Sequence, residues 1–225
     1  LEGLMPNYLR FVRGVVDSSD LPLNVSREIL QNNPTLRKIQ SGIVKRLLKD
    51  LKDRAEKPED YATFWNTFGA VFKEGLYEDN ERREELLELA RFKSTASDEL
   101  TSLKDYVGRM KQGQEAIYFI TGESAAALKG SPQLEGFLAK GIEVLLLTDP
   151  IDEFWAGTVG GYDKKQFKSV AEAGPDLSAI AGGEDNVTVV VIDVEEVGGT
   201  AASTPSPLGS AHPTTSLDEP STLDA

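Results

Sequence analysis

The sequence contains no cysteine, which excludes disulfides and thiolate metal sites. Its one histidine, His212, stands in a Ser-, Thr- and Pro-rich stretch near the C-terminal end, so the body of the chain has no His-based triad or metal centre. Long apolar runs are missing too: Val144-Leu145-Leu146-Leu147 is far too short to span a bilayer, and no signal-peptide pattern opens the sequence. The expectation is a soluble, cytoplasmic protein with no membrane partner. Positive charge is scarce, with 24 Lys and Arg against 37 Asp and Glu. Residues 182–225 hold eight acids and no Lys or Arg, so about −8 of the net −13 belongs to that end and −5 to the remainder. No basic face is left to neutralise phosphates along a duplex, which argues against a nucleic-acid partner. A phosphate-cradling Gly-rich loop before a helix is also lacking; Gly122-Glu123-Ser124 and Gly160-Gly161 read as turns.

The 225 residues, 40% of them hydrophobic, suffice for one large domain or two small ones. Leu1 stands where a Met would open a gene, in the middle of an established pattern, and the chain is expected to be a fragment. Residues 6–10 read as a short helical turn, and the β-branched run Phe11-Val12-Arg13-Gly14-Val15-Val16 as a strand of a sheet whose other members are missing. After Pro34, Leu36, Ile39, Ile43, Leu47 and Leu51 recur at helical spacing, with Val44 and Leu48 widening the stripe. Lys57-Pro58-Glu59-Asp60 ends that helix and starts another, whose face carries Tyr61, Phe64, Trp65, Phe68, Val71 and Phe72. Aromatics at this spacing bury in a core. Residues 75–80 read as a turn before a charged helix over 81–89.

The pattern then switches to strand, helix, strand, helix. Phe92–Thr95 reads as an edge segment, Ser102 as the cap of a helix reaching Met110, and Ala116–Ile120 as a buried strand. A small-residue helix over 125–128, a helix opened by Ser131-Pro132, a second buried strand over 143–147, a helix over 150–155 and an edge strand over 167–170 follow. The fold class is therefore mixed α/β: the end of a larger α/β/α unit over 1–56, a helical connector over 57–95 and a small α/β unit over 96–181, followed by a strand-like segment over 182–197. Residues 198–225 have too few bulky apolar side chains to offset ordering entropy and are expected to be disordered.

The stretch Asp17-Ser18-Ser19-Asp20-Leu21-Pro22-Leu23-Asn24-Val25-Ser26-Arg27-Glu28-Ile29-Leu30-Gln31 is a polar loop running into a helix capped by Ser26. Arg27 sits just inside that helix start, where it can reach a phosphate or pair with a neighbouring carboxylate. Leu21 through Glu28 resembles the catalytic loop of the middle domain of the heat-shock protein 90 chaperones, of the bacterial HtpG type. Further ordered matches are Tyr8 through Ser18, Phe64-Trp65 with Phe68-Gly69, Gly75 with Glu78-Asp79, Arg91 through Thr95, Asp105-Tyr106-Val107 with Arg109-Met110-Lys111, Ile117 through Ser124, and Thr148 through Glu153. They extend the resemblance from about residue 1 to 180.

That resemblance implies an ATP-dependent chaperone in which a separate N-terminal domain binds ATP with Mg and the middle domain completes the hydrolytic site. Arg27 then matches the arginine that contacts the γ-phosphate, Gln31 the glutamine of the same loop, and Asn24 the polar residue supporting it. The implied partners are unfolded clients, co-chaperones and the N-terminal ATPase domain, within a homodimeric parent whose dimerisation domain has no counterpart here. The fragment by itself is expected to bind no cofactor and to hydrolyse no ATP. Trp65 and Phe68 acquire a second possible role in client contact beside their core reading.

From residue 182 the sequence departs from that family, and Gly182 through Val191 resembles the closing strand of metal-dependent type 2C protein phosphatases, in which Asp185 would match a metal ligand. The other carboxylates of a two-metal site are not recognisable. Two alternatives to the chaperone fragment therefore stand: a degenerate phosphatase fusion, and a non-catalytic interaction module whose acidic tail recruits a basic partner.

Overall fold

The computed structural model describes residues 4–16, 34–178 and 180. Expectations for the Ser26 helix, the phosphatase-like segment and the tail fall on residues 17–33 and 181–225, outside the described residues.

Pro34 opens α1 (Pro34–Ala55) at the position where its missing N–H costs nothing. The apolar stripe turns inward on Leu36, Val44, Leu48 and Leu51, with Ile39, Ile43 and Leu47 along its margin. Extended backbone at Lys57 breaks this helix and Pro58 starts α2 (Pro58–Glu78), with Glu59 and Asp60 in the first turn where the helix dipole favours acids. A shorter α3 (Arg83–Leu89) buries Leu86, Leu87 and Leu89, and the three helices pack on one another.

The remaining elements build one mixed sheet. Its strands are β1 (Arg91–Ser94), β2 (Thr101–Ser102), β3 (Ala116–Thr121), β4 (Leu145–Leu147), β5 (Gly161–Tyr162) and β6 (Lys165–Ser169), in the order β2-β1-β4-β3-β6-β5. Central β3 runs parallel to β4 and β6, whereas the β1–β2, β1–β4 and β5–β6 pairs are antiparallel. Successive side chains alternate between faces. Ile117, Phe119, Leu145 and Leu147 join a core shared with α1, α2, α3, α4 (Leu103–Gly108) and α7 (Asp152–Thr158). Tyr118, Ile120 and Leu146 enter a second core under α5 (Ala125–Lys129) and α6 (Glu135–Ala139). Burial on both faces is why these strands read as continuous apolar runs. Ser102 and Ser124 cap α4 and α5 by accepting hydrogen bonds from the backbone N–H of Asp105 (3.0 Å) and Ala127 (3.2 Å).

Several local readings change. Residues 12–16 form no strand, and Val15 is 95% exposed: among the described residues nothing offers that segment a ladder, and β-branched composition does not substitute for a partner. The turn expected at Gly75 is instead helix, because α2 continues to Glu78. A Cβ on Gly75 would come within 2.8–2.9 Å of the Tyr8 ring and of Leu86, so the glycine serves close packing rather than a bend. Both segments expected at sheet edges lie one place inward, since two-residue strands β2 and β5 cover them. The β5–β6 hairpin turns through Asp163 and Lys164, both at positive φ (47° and 61°), without the Asn-Gly that announces such turns.

Candidate functional site

The described residues that flank positions 17–33 are tied to α2 and to the turn that follows it. Tyr8, in the 3-10 turn Asn7–Leu9, donates its hydroxyl hydrogen to Asp79 Oδ2 at 2.7 Å. Asp79 also accepts from the Arg82 backbone N–H (3.1 Å) and guanidinium (3.0 Å). Partial burial works against the Asp79 carboxylate, but the hydrogen bonds from Tyr8 and Arg82 outweigh it and hold its pKa below the usual value. Arg10 forms a two-pronged pair with Glu74, one prong at 2.8 Å, and Phe11 stacks on Phe68 with centroids 4.7 Å apart. On the far side, Leu36 of α1 is buried and Arg82 reaches Ser41 Oγ at 3.4 Å. Arg27, Gln31, Asn24 and Asp185 fall outside the described residues. Among the described residues no group of His, Cys, Asp or Glu is placed to hold a metal ion.

The aromatic face of α2 divides in two. Tyr61, Trp65 and Phe72 are buried, and Trp65, 6% exposed, lies across Gly69, where a Cβ would meet its indole at 2.7 Å. Phe64 and Phe68 are half-buried beneath Phe11. The aromatic side chains that do reach solvent were not singled out from the sequence. Tyr77 in the last turn of α2 is 49% exposed and Phe154 in the first turn of α7 is 59% exposed. Their rings meet edge to face with centroids 6.4 Å apart.

Beneath this pair the two helices share a buried charge cluster. Lys73 is 4% exposed and Asp152 is fully buried. The Lys73 ammonium donates to both Asp152 oxygens, at 2.5 and 2.7 Å, and pairs with Asp149 Oδ2 at 2.7 Å. Asp152 is further held by the Trp155 indole N–H (2.6 Å) and the Asp149 backbone N–H (3.0 Å), while Phe92 presents its ring 5.8 Å from the ammonium. The carboxylate thus receives charge-assisted bonds and neutral ones together, which suits a buried ion. The cluster has no sequence signature, because Lys73 and Asp152 are 79 residues apart.

Comparison with known proteins bears on what this arrangement belongs to. A model of the Hsp90 protein family matches residues 1–188, running past residue 182, where the sequence was read as departing from the family. The chain is 64% identical to a chaperone protein HtpG of Paramagnetospirillum magneticum over 180 residues, covering 80% of this chain and 29% of that protein. A chaperone protein HtpG of Rhodospirillum rubrum is 61% identical over 181 residues, with the same coverage. One from Mesorhizobium japonicum is 54% identical over 210 residues, covering 92% of this chain and 33% of that protein. The chain therefore spans about a third or less of the length of these relatives. With a family match across most of its length and extensive identity to these proteins, the chain belongs to the Hsp90 family, of the HtpG type.

Proposed function

We propose that this chain acts as the middle segment of an ATP-dependent chaperone in the cytoplasm, binding partly folded clients and supplying an arginine to a nucleotide held by another part of the same machine. The observation that carries the client-binding half is the solvent-facing pair Tyr77 and Phe154, mounted on two helices whose other faces are buried. Large exposed aromatics cost hydration free energy when unoccupied and recover it against apolar segments of an unfolded chain. In this reading the client-contacting role proposed for Trp65 and Phe68 passes to Tyr77 and Phe154, while Trp65 packs the core beneath and Phe68 serves as a seat for Phe11. Co-chaperone contact and assembly as a homodimer belong to the larger protein. The double substitution Tyr77→Ser/Phe154→Ser is expected to leave the fold intact. It should reduce several-fold the ability of the chain to suppress aggregation of a heat-denatured enzyme, measured by light scattering; undiminished suppression would refute this assignment.

The nucleotide half rests on the loop residues. An arginine at position 27 would donate charge-assisted hydrogen bonds to a terminal phosphate and stabilise charge as it transfers, with Gln31 and Asn24 shaping the loop. The chain alone is expected to release no phosphate from ATP. Mixed with the ATP-binding part of an HtpG relative it should raise turnover, and Arg27→Ala should remove that increase; phosphate release by the isolated chain would overturn the division of labour.

A further inference from the structure

We propose that Arg91 anchors a binding site for a carboxylate carried on a short apolar stem, seated in the cleft between the start of α2 and strand β2. The site shares no residue with the Tyr77–Phe154 pair and does not rest on the client-binding reading.

Arg91 opens β1 directly after α3, and its guanidinium is held from two sides. Nη1 donates to the carbonyls of Glu88 (3.1 Å), Leu89 (3.1 Å) and Ala90 (2.9 Å) at the C-terminal end of α3, where the helix dipole favours a cation. The guanidinium carbon stands 4.8 Å from the centroid of the Tyr61 ring, and the Tyr61 hydroxyl is itself tied to the Leu89 carbonyl at 2.8 Å. What is left is the edge formed by Nε and Nη2, whose two N–H bonds match the paired oxygens of a carboxylate. Neither nitrogen has an acceptor among the described residues, and neither is sealed from solvent. Arg109, at the same cleft, uses that edge on Glu143, with Nε to Oε2 and Nη2 to Oε1 both at 2.9 Å, so the fold already displays the pairing that Arg91 offers. Burial pushes the Arg91 pKa below its ordinary value, against the opposing pull of Tyr61, Asp105 and Tyr162. A half-buried cation in this position gains more from an incoming anion than a fully hydrated one does.

Arg91 and Tyr61 line a cleft of about 450 Å³ together with Pro58, Ala62, Leu100 and Ser102. The apolar members give an alkyl or peptide stem a surface to lie against. Glu99 and Asp105 stand at the same cleft, and Arg109 there is already neutralised by Glu143. This balance selects the ligand's charge: Arg91 compensates one negative charge, whereas the second charge of a phosphate would face two carboxylates.

The test titrates the full 225-residue chain with sodium hexanoate, hexanol, inorganic phosphate, and the peptide acetyl-Ala-Ala-Leu as free acid and as amide. Binding is read from the arginine Nε–H resonances, that of Arg91 being assigned by its loss in Arg91→Lys. Hexanoate is expected to shift this resonance saturably in the millimolar range, while hexanol, phosphate and the peptide amide leave it in place. Followed through the backbone amides of residues 100–102, Arg91→Lys should weaken hexanoate about tenfold, because an ammonium keeps the charge but lacks the two-pronged edge. Should that variant fail to fold, Ser97→Glu, an exposed position on the cleft wall, takes its place and should weaken hexanoate severalfold by repulsion. A free-acid peptide that binds more tightly than hexanoate would support the site with a protein C-terminus as the source of the carboxylate, and the reverse order would support it with a free small acid. Parental hexanoate affinity in the folded variant, phosphate bound as tightly as hexanoate, or no saturable shift with either carboxylate would overturn the proposal.

Discussion

Replacing Asp152 with alanine is expected to cost the fold about 3–5 kcal/mol. The reason lies in what the substitution leaves behind rather than in what it removes. Asp152 is fully buried and accepts from the Lys73 ammonium, the Trp155 indole N–H and the Asp149 backbone N–H. Truncation strips all of these donors of a partner at once. The Lys73 ammonium, itself 4% exposed, would keep only the partly exposed Asp149 carboxylate. An under-compensated buried cation and orphaned N–H donors each carry a desolvation penalty that water cannot relieve. The signature is a lowered urea midpoint at unchanged slope. A loss below about 1 kcal/mol would mean that water enters and solvates the cluster, against the burial found for both residues. The contrast with Lys73→Met/Asp152→Leu is diagnostic: removing one ion is costly, whereas removing both and filling the space is close to neutral.

Phe72→Ala is expected to destabilise the chain by a comparable amount, about 3–5 kcal/mol. Phe72 is fully buried near the middle of α2, with the Trp65 ring 5.7 Å away at 64° and the Tyr8 ring 6.3 Å away at 88°. Its removal subtracts transfer free energy and also opens a cavity whose walls are held by α2 and by the Tyr8–Asp79 hydrogen bond, so they can close only partly. The loss should extend to the segment before the Arg27 loop, because Tyr8 would lose its ring partner while keeping its tether. Phe154→Ala is the matched control: the same chemical deletion at a 59% exposed position should change stability by no more than about 0.5 kcal/mol. Urea denaturation of both variants checks the pair. Similar losses for the two would contradict the division of the aromatics into core and surface.

The two predictions test different kinds of legibility. Phe72 could be placed in the core from its spacing with Tyr61, Trp65 and Phe68, because an amphipathic helix buries a recurring stripe whatever it packs against. Asp152 could not be marked as special, since burial of an acid depends on a lysine that the chain brings up from 79 residues away. The exposed Tyr77 was assigned to a turn on the strength of Gly75, a local preference that Tyr8 and Leu86 override by packing against the glycine. Strands β2 and β5 are two residues each, shorter than any periodicity can register, and they exist because longer neighbours hold them.

By itself, then, the sequence determined what local periodicity and composition can carry: three packed helices, two strands buried on both faces, the Ser102 cap, and the motifs that tie the chain to its family. Those features follow from each residue and its near neighbours, whose spacing along a helix or strand is set by backbone geometry. Only the tertiary structure decided which aromatics face solvent, where the sheet has its edges, and that Lys73 and Asp152 meet beneath Tyr77 and Phe154. Those outcomes depend on which distant surfaces exclude water from one another, and that is a property of the assembled cores rather than of any stretch of chain.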